Sequence, residues 1–229
     1  MPAQRWRLIL ARTGAAPDLS QRELMAAWTA ALDEAGLRDP RAETLTRFVP
    51  GAPIPAGLTA DREPADLFLP VARPAPDVRR RLGATVPSGY RLVELHDVWV
   101  GEPALPGLVV AGDYCVDVDV GPPAGAGRDR TPPADDRLRE GVAVLLAATV
   151  LERPGSRPGR GTAGNLRPLI EDIRVVSDHE LWMRLRFDPT LGTGRPEEVV
   201  AALGAVTGLA LVATRRHRER LWLRDERPR

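Results

Sequence analysis

Arg5-Trp6-Arg7-Leu8-Ile9-Leu10-Ala11-Arg12 leads, through a short connection, to Ser20-Gln21-Arg22-Glu23-Leu24-Met25. Trp6, Leu8 and Leu10 alternate with Arg5, Arg7 and Ile9, the period-two pattern of a strand over about 5–12. Ser20 and Glu23 have the spacing of a capping box, in which each side chain satisfies an orphan amide at a helix start. Leu24, Met25, Trp28, Ala31, Leu32 and Ala35 then mark one helical face, and Gly36 suits a left-handed cap.

Outward from this pair, the N-terminal half continues in the same alternation of elements. Pro50 to Leu58 is too rich in Pro and Gly for a central strand and reads as an edge segment or ordered loop. Ala65–Val71 reads as a strand, Asp77–Leu82 as the start of a short helix with Val78 and Leu82 inward, and Tyr90–Val100 as a strand. Strand, helix, strand, strand, helix, strand is the ferredoxin-like plan.

The C-terminal half repeats the order. Val109–Val120 places Tyr114, Val116, Val118 and Val120 on one face and Asp113, Cys115, Asp117 and Asp119 on the other. After a Pro/Gly linker, Gly121–Ala134, a helical stripe runs through Leu138, Val142, Leu145, Leu146 and Thr149 behind Asp135 and Asp136, which suit the helix dipole. A basic loop, Arg153–Gly164, leads to strands at Leu169–Val176 and His179–Phe187. Pro196 with Glu197 and Glu198 opens the last helix, and Leu209–Leu223 is the closing strand. The expected fold class is therefore α+β, two tandem ferredoxin-like (βαββαβ) halves with mainly antiparallel sheets. The expected domains are residues 1–106 and residues 107–229, the second carrying the basic loop and the C-terminal strand.

Composition narrows the function classes. The 229 residues are 43% hydrophobic and 28% charged, enough for a core and for solubility. The longest near-apolar run, Gly141–Leu151, falls well short of the roughly 20 residues a membrane helix needs. No signal core follows Met1, so a cytoplasmic location is expected. The single cysteine, Cys115, excludes an internal disulfide and a cysteine-held zinc or iron–sulfur site. His96, His179 and His217 have no second ligand at a metal spacing, so the expectation is no metal and no cofactor.

Every basic residue is arginine, as the absence of lysine and the abundance of Gly and Pro suggest codon bias. Placement then carries more information than number. Residues 1–120 hold 13 arginines against 16 acidic residues, and residues 121–229 hold 19 against 15, so an anion-binding surface is expected in the second half. Its candidates are the loop arginines Arg153, Arg157 and Arg160, the Trp182/Arg184/Arg186 strand face, and the strand Thr214-Arg-Arg-His-Arg-Glu-Arg-Leu-Trp with Arg215, Arg216 and Arg218. Arginine with nearby aromatics suits RNA through phosphate neutralisation and stacking. The plainer reading is a solvated charged face. Asp113, Asp117 and Asp119 could hold a metal, but cross-strand ion pairs with Arg184 and Arg186 are the simpler expectation. Carboxylates around Cys115 disfavour a thiolate nucleophile. Gly192-Thr-Gly-Arg-Pro lacks the phosphate-loop lysine and reads as a turn and helix start, with Arg195 facing a partner.

Several motifs stand out together: Arg5–Arg12 with Thr13-Gly14, Leu19–Met25, Ala31–Leu37, and Pro53-Ile54-Pro55-Ala56-Gly57-Leu58 before Glu63 and Ala65-Asp66-Leu67. In the C-terminal half they are Asn165-Leu166-Arg167-Pro168-Leu169-Ile170 and Gly192–Val200. As a set they resemble the radical-SAM-associated (radical-SAM-linked) family of unknown function. Two departures stand out. Ser20-Gln21-Arg22-Glu23 replaces the family's serine-histidine-leucine-aspartate, and no glycine-phenylalanine-asparagine-proline-histidine-proline stretch accompanies Arg47–Pro50. The resemblance implies an accessory encoded beside, or fused to, a radical-SAM enzyme, its own activity not established, with any retained function around Arg167, Arg195 and the final strand. A single cysteine cannot supply the three thiolates of a radical-SAM cluster, so the chain is not that catalyst. Read together, the features predict a non-catalytic adaptor that presents RNA or tRNA, with the radical-SAM enzyme and RNA as partners. Two other readings stand beside it: a small metal-independent RNA-processing enzyme using His217 or His179 as acid–base, and a protein-only scaffold.

Overall fold

The computed structural model describes residues 1–16, 18–38, 46–121, 134–153 and 164–226. Most of the expected linker and of the basic loop, including Arg157 and Arg160, lies outside the described residues. The architecture is mixed α+β with mainly antiparallel strands, in two units: Met1–Val109 with the chain end from Leu223, and Val110–Trp222.

The first unit runs β1 (Gln4–Arg12), α1 (Gln21–Glu34), β2 (Arg47–Pro50), β3 (Leu58–Leu69), α2 (Ala75–Thr85), β4 (Tyr90–Val98) and a short α3 (Leu105–Leu108). Its strand order is β4-β1-β3-β2, each pair antiparallel. Ser20 and Glu23 form the reciprocal capping box of α1. At the other end Gly36, at φ 61°, donates to Asp33 O, and Leu37 donates to Leu32 O, so the last carbonyls are satisfied by a left-handed turn. The inward stripe of α1 centres on Trp28, fully buried, whose ring stacks on Phe48 at 4.2 Å and meets Tyr90 edge-on at 5.5 Å. Trp6, Leu8 and Leu10 line the same core from β1.

The opposite side of β1 buries charge. Asp66, opposite Arg7 in register, accepts from Arg5 Nε at 3.0 Å and Nη2 at 2.5 Å and from Arg7 Nε at 3.0 Å. Arg5 uses its remaining donors on Glu102 O at 2.7 Å and Pro103 O at 2.9 Å. Arg5 and Asp66 are 1% and 0% exposed. β3 begins before the expected Ala65, because Pro64 stands inside the ladder opposite Ile9 and a register shift after Leu10 lets Arg12 meet Ala60.

The second unit runs β5 (Val109–Gly121), α4 (Ala134–Ala147), a 3₁₀ turn (Arg167–Leu169), β6 (Ile170–Ser177), β7 (Glu180–Asp188), β8 (Gly192–Thr193), α5 (Pro196–Thr207) and β9 (Ala210–Leu223). The strand order is β9-β5-β7-β6, with β8 on β7. Gly192-Thr193, expected as a turn, therefore pairs with Asp188 and Phe187 before α5 begins. Pro196 sits in the first turn of α5, and Gly208, at φ 64°, ends it. Tyr114, Val116, Leu181, Met183 and Leu185 point into the core with Leu138, Leu145, Val199 and Leu203.

Replacing Asp66 by Asn strands Arg5 in the interior without its counter-charge. Denaturant unfolding should show a loss of about 3–5 kcal/mol. Arg215→Ala, which removes an ion pair whose side chains are 60% and 36% exposed, should cost no more than about 1 kcal/mol.

Candidate functional site

Alternation along β7 buries Leu181, Met183 and Leu185 and turns Trp182, Arg184 and Arg186 to the other side. Pairing puts Arg184 opposite Asp113 of β5 and Trp182 opposite Cys115. On the other flank, Asp172 and Arg174 of β6 lie opposite Arg184 and Trp182. The expected ion pair forms. Asp113, 5% exposed, accepts from Arg184 Nε at 2.6 Å and Nη2 at 2.8 Å, and from Trp222 Nε1 at 2.9 Å. That fork raises the Arg184 pKa, first through the Asp113 hydrogen bond.

Around this anchor, guanidinium and indole alternate. Arg174 lies 4.9 Å from the Trp182 ring centre, Arg184 lies 5.5 Å from Trp182 and 4.7 Å from Trp222, and Arg220 lies 3.9 Å from Trp222. Trp182 Nε1 donates to Glu219 at 2.9 Å, which fixes the indole. The rungs differ in freedom. Arg184 is held by both oxygens of Asp113, whereas among the described residues Arg174 pairs with Asp172 alone, at 2.6 Å, and is 69% exposed.

The candidate arginines divide by what holds them. Arg186 pairs with Glu171 at 2.7 Å and Arg215 with Asp117 at 2.7 Å, both on this strand surface. Arg216 pairs with Glu197 of α5. Arg218, expected as a surface contact, is instead 2% exposed, with Nη1 3.4 Å from Tyr114 Oη, because its position on β9 faces the core. Arg153 forks onto Glu198 at 2.8 and 2.9 Å and also donates to Thr193 O at 2.5 Å, so it braces the start of α5. Arg167 donates to Leu146 O at 3.2 and 2.8 Å and to Ile170 O at 2.7 Å, satisfying a carbonyl at the end of α4. Arg195 is the N-cap of α5, exposed and without an ion-pair partner among the described residues. The site thus gathers Arg184, Arg186 and Arg215, and not Arg153, Arg167, Arg195, Arg216 or Arg218.

Sequence reasoning did not single out Arg174, and it quoted Arg220 and Trp222 only as part of the Thr214–Trp222 stretch, with no role of their own. Trp222 was hard to place because Arg215, Glu219 and Trp222 of β9 all reach the same row of β5 side chains, which strict alternation forbids. Of the histidines, His96 contacts Glu94 at 2.9 Å, and His179 contacts the adjacent Asp178 at 3.3 Å.

Cys115 lies under this layer, its thiol donating to Glu219 at 3.4 Å. Burial first, then the Glu219 hydrogen bond and charge, push its pKa from 9.0 to about 12. Alkylation of the folded protein at pH 9 should therefore be far slower than that of the unfolded chain, and Glu219→Gln should accelerate it. The unfolded chain releases the thiol proton near pH 9.0 and the folded one only near 12, so this group's contribution to stability falls as pH rises through that window.

In comparison with known proteins, no curated protein matches. Among solved structures the chain is similar to one in the "Crystal Structure of a Cbf5-Nop10-Gar1 Complex", at 10% identity and TM-score 0.47, over 93% of this chain and 48% of that one. An "Unknown Protein from Galdieria sulphuraria" matches at 14% identity and TM-score 0.24, over 91% and 96% of the two chains. A chain of a Cas6 product complex matches at 17% identity and TM-score 0.26, over 94% and 96%. The chain spans about half the length of the first of these, and TM-scores of this size support no functional transfer. The family model described as "Uncharacterized protein conserved in bacteria (DUF2344)" matches residues 5–199, most of the chain, and the protein belongs to that family.

Proposed function

We propose that this protein is an accessory, or adaptor, of a radical-SAM enzyme that presents RNA, such as a tRNA, for modification and is not itself the catalyst. The observation that carries the RNA part is the alternating Trp182, Arg184, Trp222, Arg220 array, with Arg174 lying over the outer Trp182 ring. Indole faces and guanidinium planes are the groups on which unstacked bases rest. Arg186 and Arg215, on the same strand surface, add cations within reach of a backbone. The partner enzyme is suggested by the resemblance of Asn165–Ile170 and Gly192–Val200 to the radical-SAM-linked pattern. Arg195 is the guanidinium of that pattern left exposed, and it would meet the partner or an anion, while Arg167 would shape the surface from beneath.

We read each unit as a ferredoxin-like half, because β4-β1-β3-β2 and, with the two-residue β8 left aside, β9-β5-β7-β6 both set fourth, first, third and second strands side by side. On that reading the functional halves meet near residues 106 and 107, with the RNA surface in the second.

Affinity capture of the tagged chain from its native lysate, with and without ribonuclease, tests both parts. A radical-SAM protein should co-purify, and RNA should be present before ribonuclease treatment. Recovery without a radical-SAM protein overturns the partner assignment. Failure of the purified chain to retain any RNA on a filter at micromolar concentration overturns the RNA assignment.

A further inference from the structure

The surface around Trp182 is nearly charge-matched. Arg184 faces Asp113, Arg186 faces Glu171, Arg215 faces Asp117 and Arg174 faces Asp172, and Glu219 adds a further carboxylate. A phosphate reaching any of these arginines must displace a carboxylate already bound to it. Few counterions would be released, so the salt-sensitive attraction that dominates most RNA binding is weak here. Stacking remains, and stacking needs bases whose faces are free.

Resting on the RNA reading above, we propose that the Trp182 ring is the seat of an unpaired nucleobase in a single strand, and that Arg174 is the displaceable group that covers it. The inner rung cannot serve, because Arg184 is forked onto Asp113 and the Trp222 indole is tied to the same carboxylate. Arg174 is different. It reaches the ring from β6 across the register, and its ion-pair partner among the described residues is Asp172, two residues away on the same strand and itself 33% exposed. An exposed ion pair holds such a side chain by roughly fivefold at most. An exposed cation over a ring adds a factor of about two to five. A base stacked on an aromatic side chain is worth about five- to 150-fold, and the upper part of that range exceeds the combined hold of about 25-fold at most on Arg174, so a well-stacked base takes the ring and Arg174 swings into solvent. Trp182 does not have to reorganise, since its Nε1 hydrogen bond to Glu219 already orients the indole.

Fluorescence and filter titrations of the full chain with a short single-stranded RNA, the same sequence as a duplex, the deoxy strand and adenosine monophosphate test this. Trp182→Leu, shown to be folded by circular dichroism, should weaken single-strand binding about tenfold or more. Arg174→Ala should leave it unchanged or tighten it, and raising salt from about 50 to about 200 mM should change the affinity by less than about tenfold, against the thousandfold or more expected of a phosphate-binding surface. Equal binding of the ribo and deoxy strands supports a seat that reads the base alone, and tighter binding of the ribo strand supports one that also reads the sugar. Adenosine monophosphate binding as tightly as the strand overturns the assignment to a strand. Duplex RNA bound as tightly as the single strand, binding lost in Arg174→Ala, or binding indifferent to Trp182→Leu overturns the base seat while leaving the RNA reading standing. Absence of binding to every RNA overturns both.

Discussion

An arginine held wholly or partly buried against a strand is stabilised by a carboxylate at the matching place on the next strand. A guanidinium cannot shed its charge, and burying it alone costs several kcal/mol. Both units meet this constraint by pairing register. In the first, Asp66 stands opposite Arg7 and takes Arg5 as well; in the second, Asp113 stands opposite Arg184 and takes the Trp222 indole as well. Each carboxylate is nearly or fully buried and accepts at least three donors. A one-residue slip of either pairing would move every partner to the wrong side of its strand, so these contacts specify register as well as neutralising charge.

The same constraint shapes the second unit's exposed chemistry. Because Asp113 holds Arg184 by both oxygens, the guanidinium plane is fixed, and two indoles can rest against it. Away from that anchor the arginines become exposed and their pairs looser, as at Arg174 and Arg215. Below the layer, burial and Glu219 keep the Cys115 thiol protonated, which makes it a structural donor instead of a nucleophile. The surface is therefore anchored by a buried carboxylate in the middle and held by exposed pairs at its edge.

Much of the fold was legible because its signals are local. The Ser20/Glu23 box, the Gly36 turn, the Pro196 start and the alternation of Trp182 to Phe187 each depend on neighbours a few residues apart. The misses were of another kind. β3 keeps Pro64 inside its ladder, Gly192-Thr193 pairs as a short strand, and β9 carries Arg215, Glu219 and Trp222 to one row of partners. These outcomes depend on register shifts and on partner strands far away in the chain, which local period does not encode.

For the candidate site the division is sharper. From sequence alone, 32 arginines and an excess of them after residue 120 indicate where cations are, and Trp182 with Arg184 and Arg186 indicates a face worth attention. Tertiary structure decided what each cation does: Arg167 satisfies the end of α4, Arg153 braces α5, Arg218 is buried beside Tyr114, and Arg184 is locked beneath two tryptophans. The physical reason is that alternation and capping are short-range properties written along the chain. Whether a charge is spent internally or left for a ligand depends on which carboxylate the fold brings within about 3 Å of it.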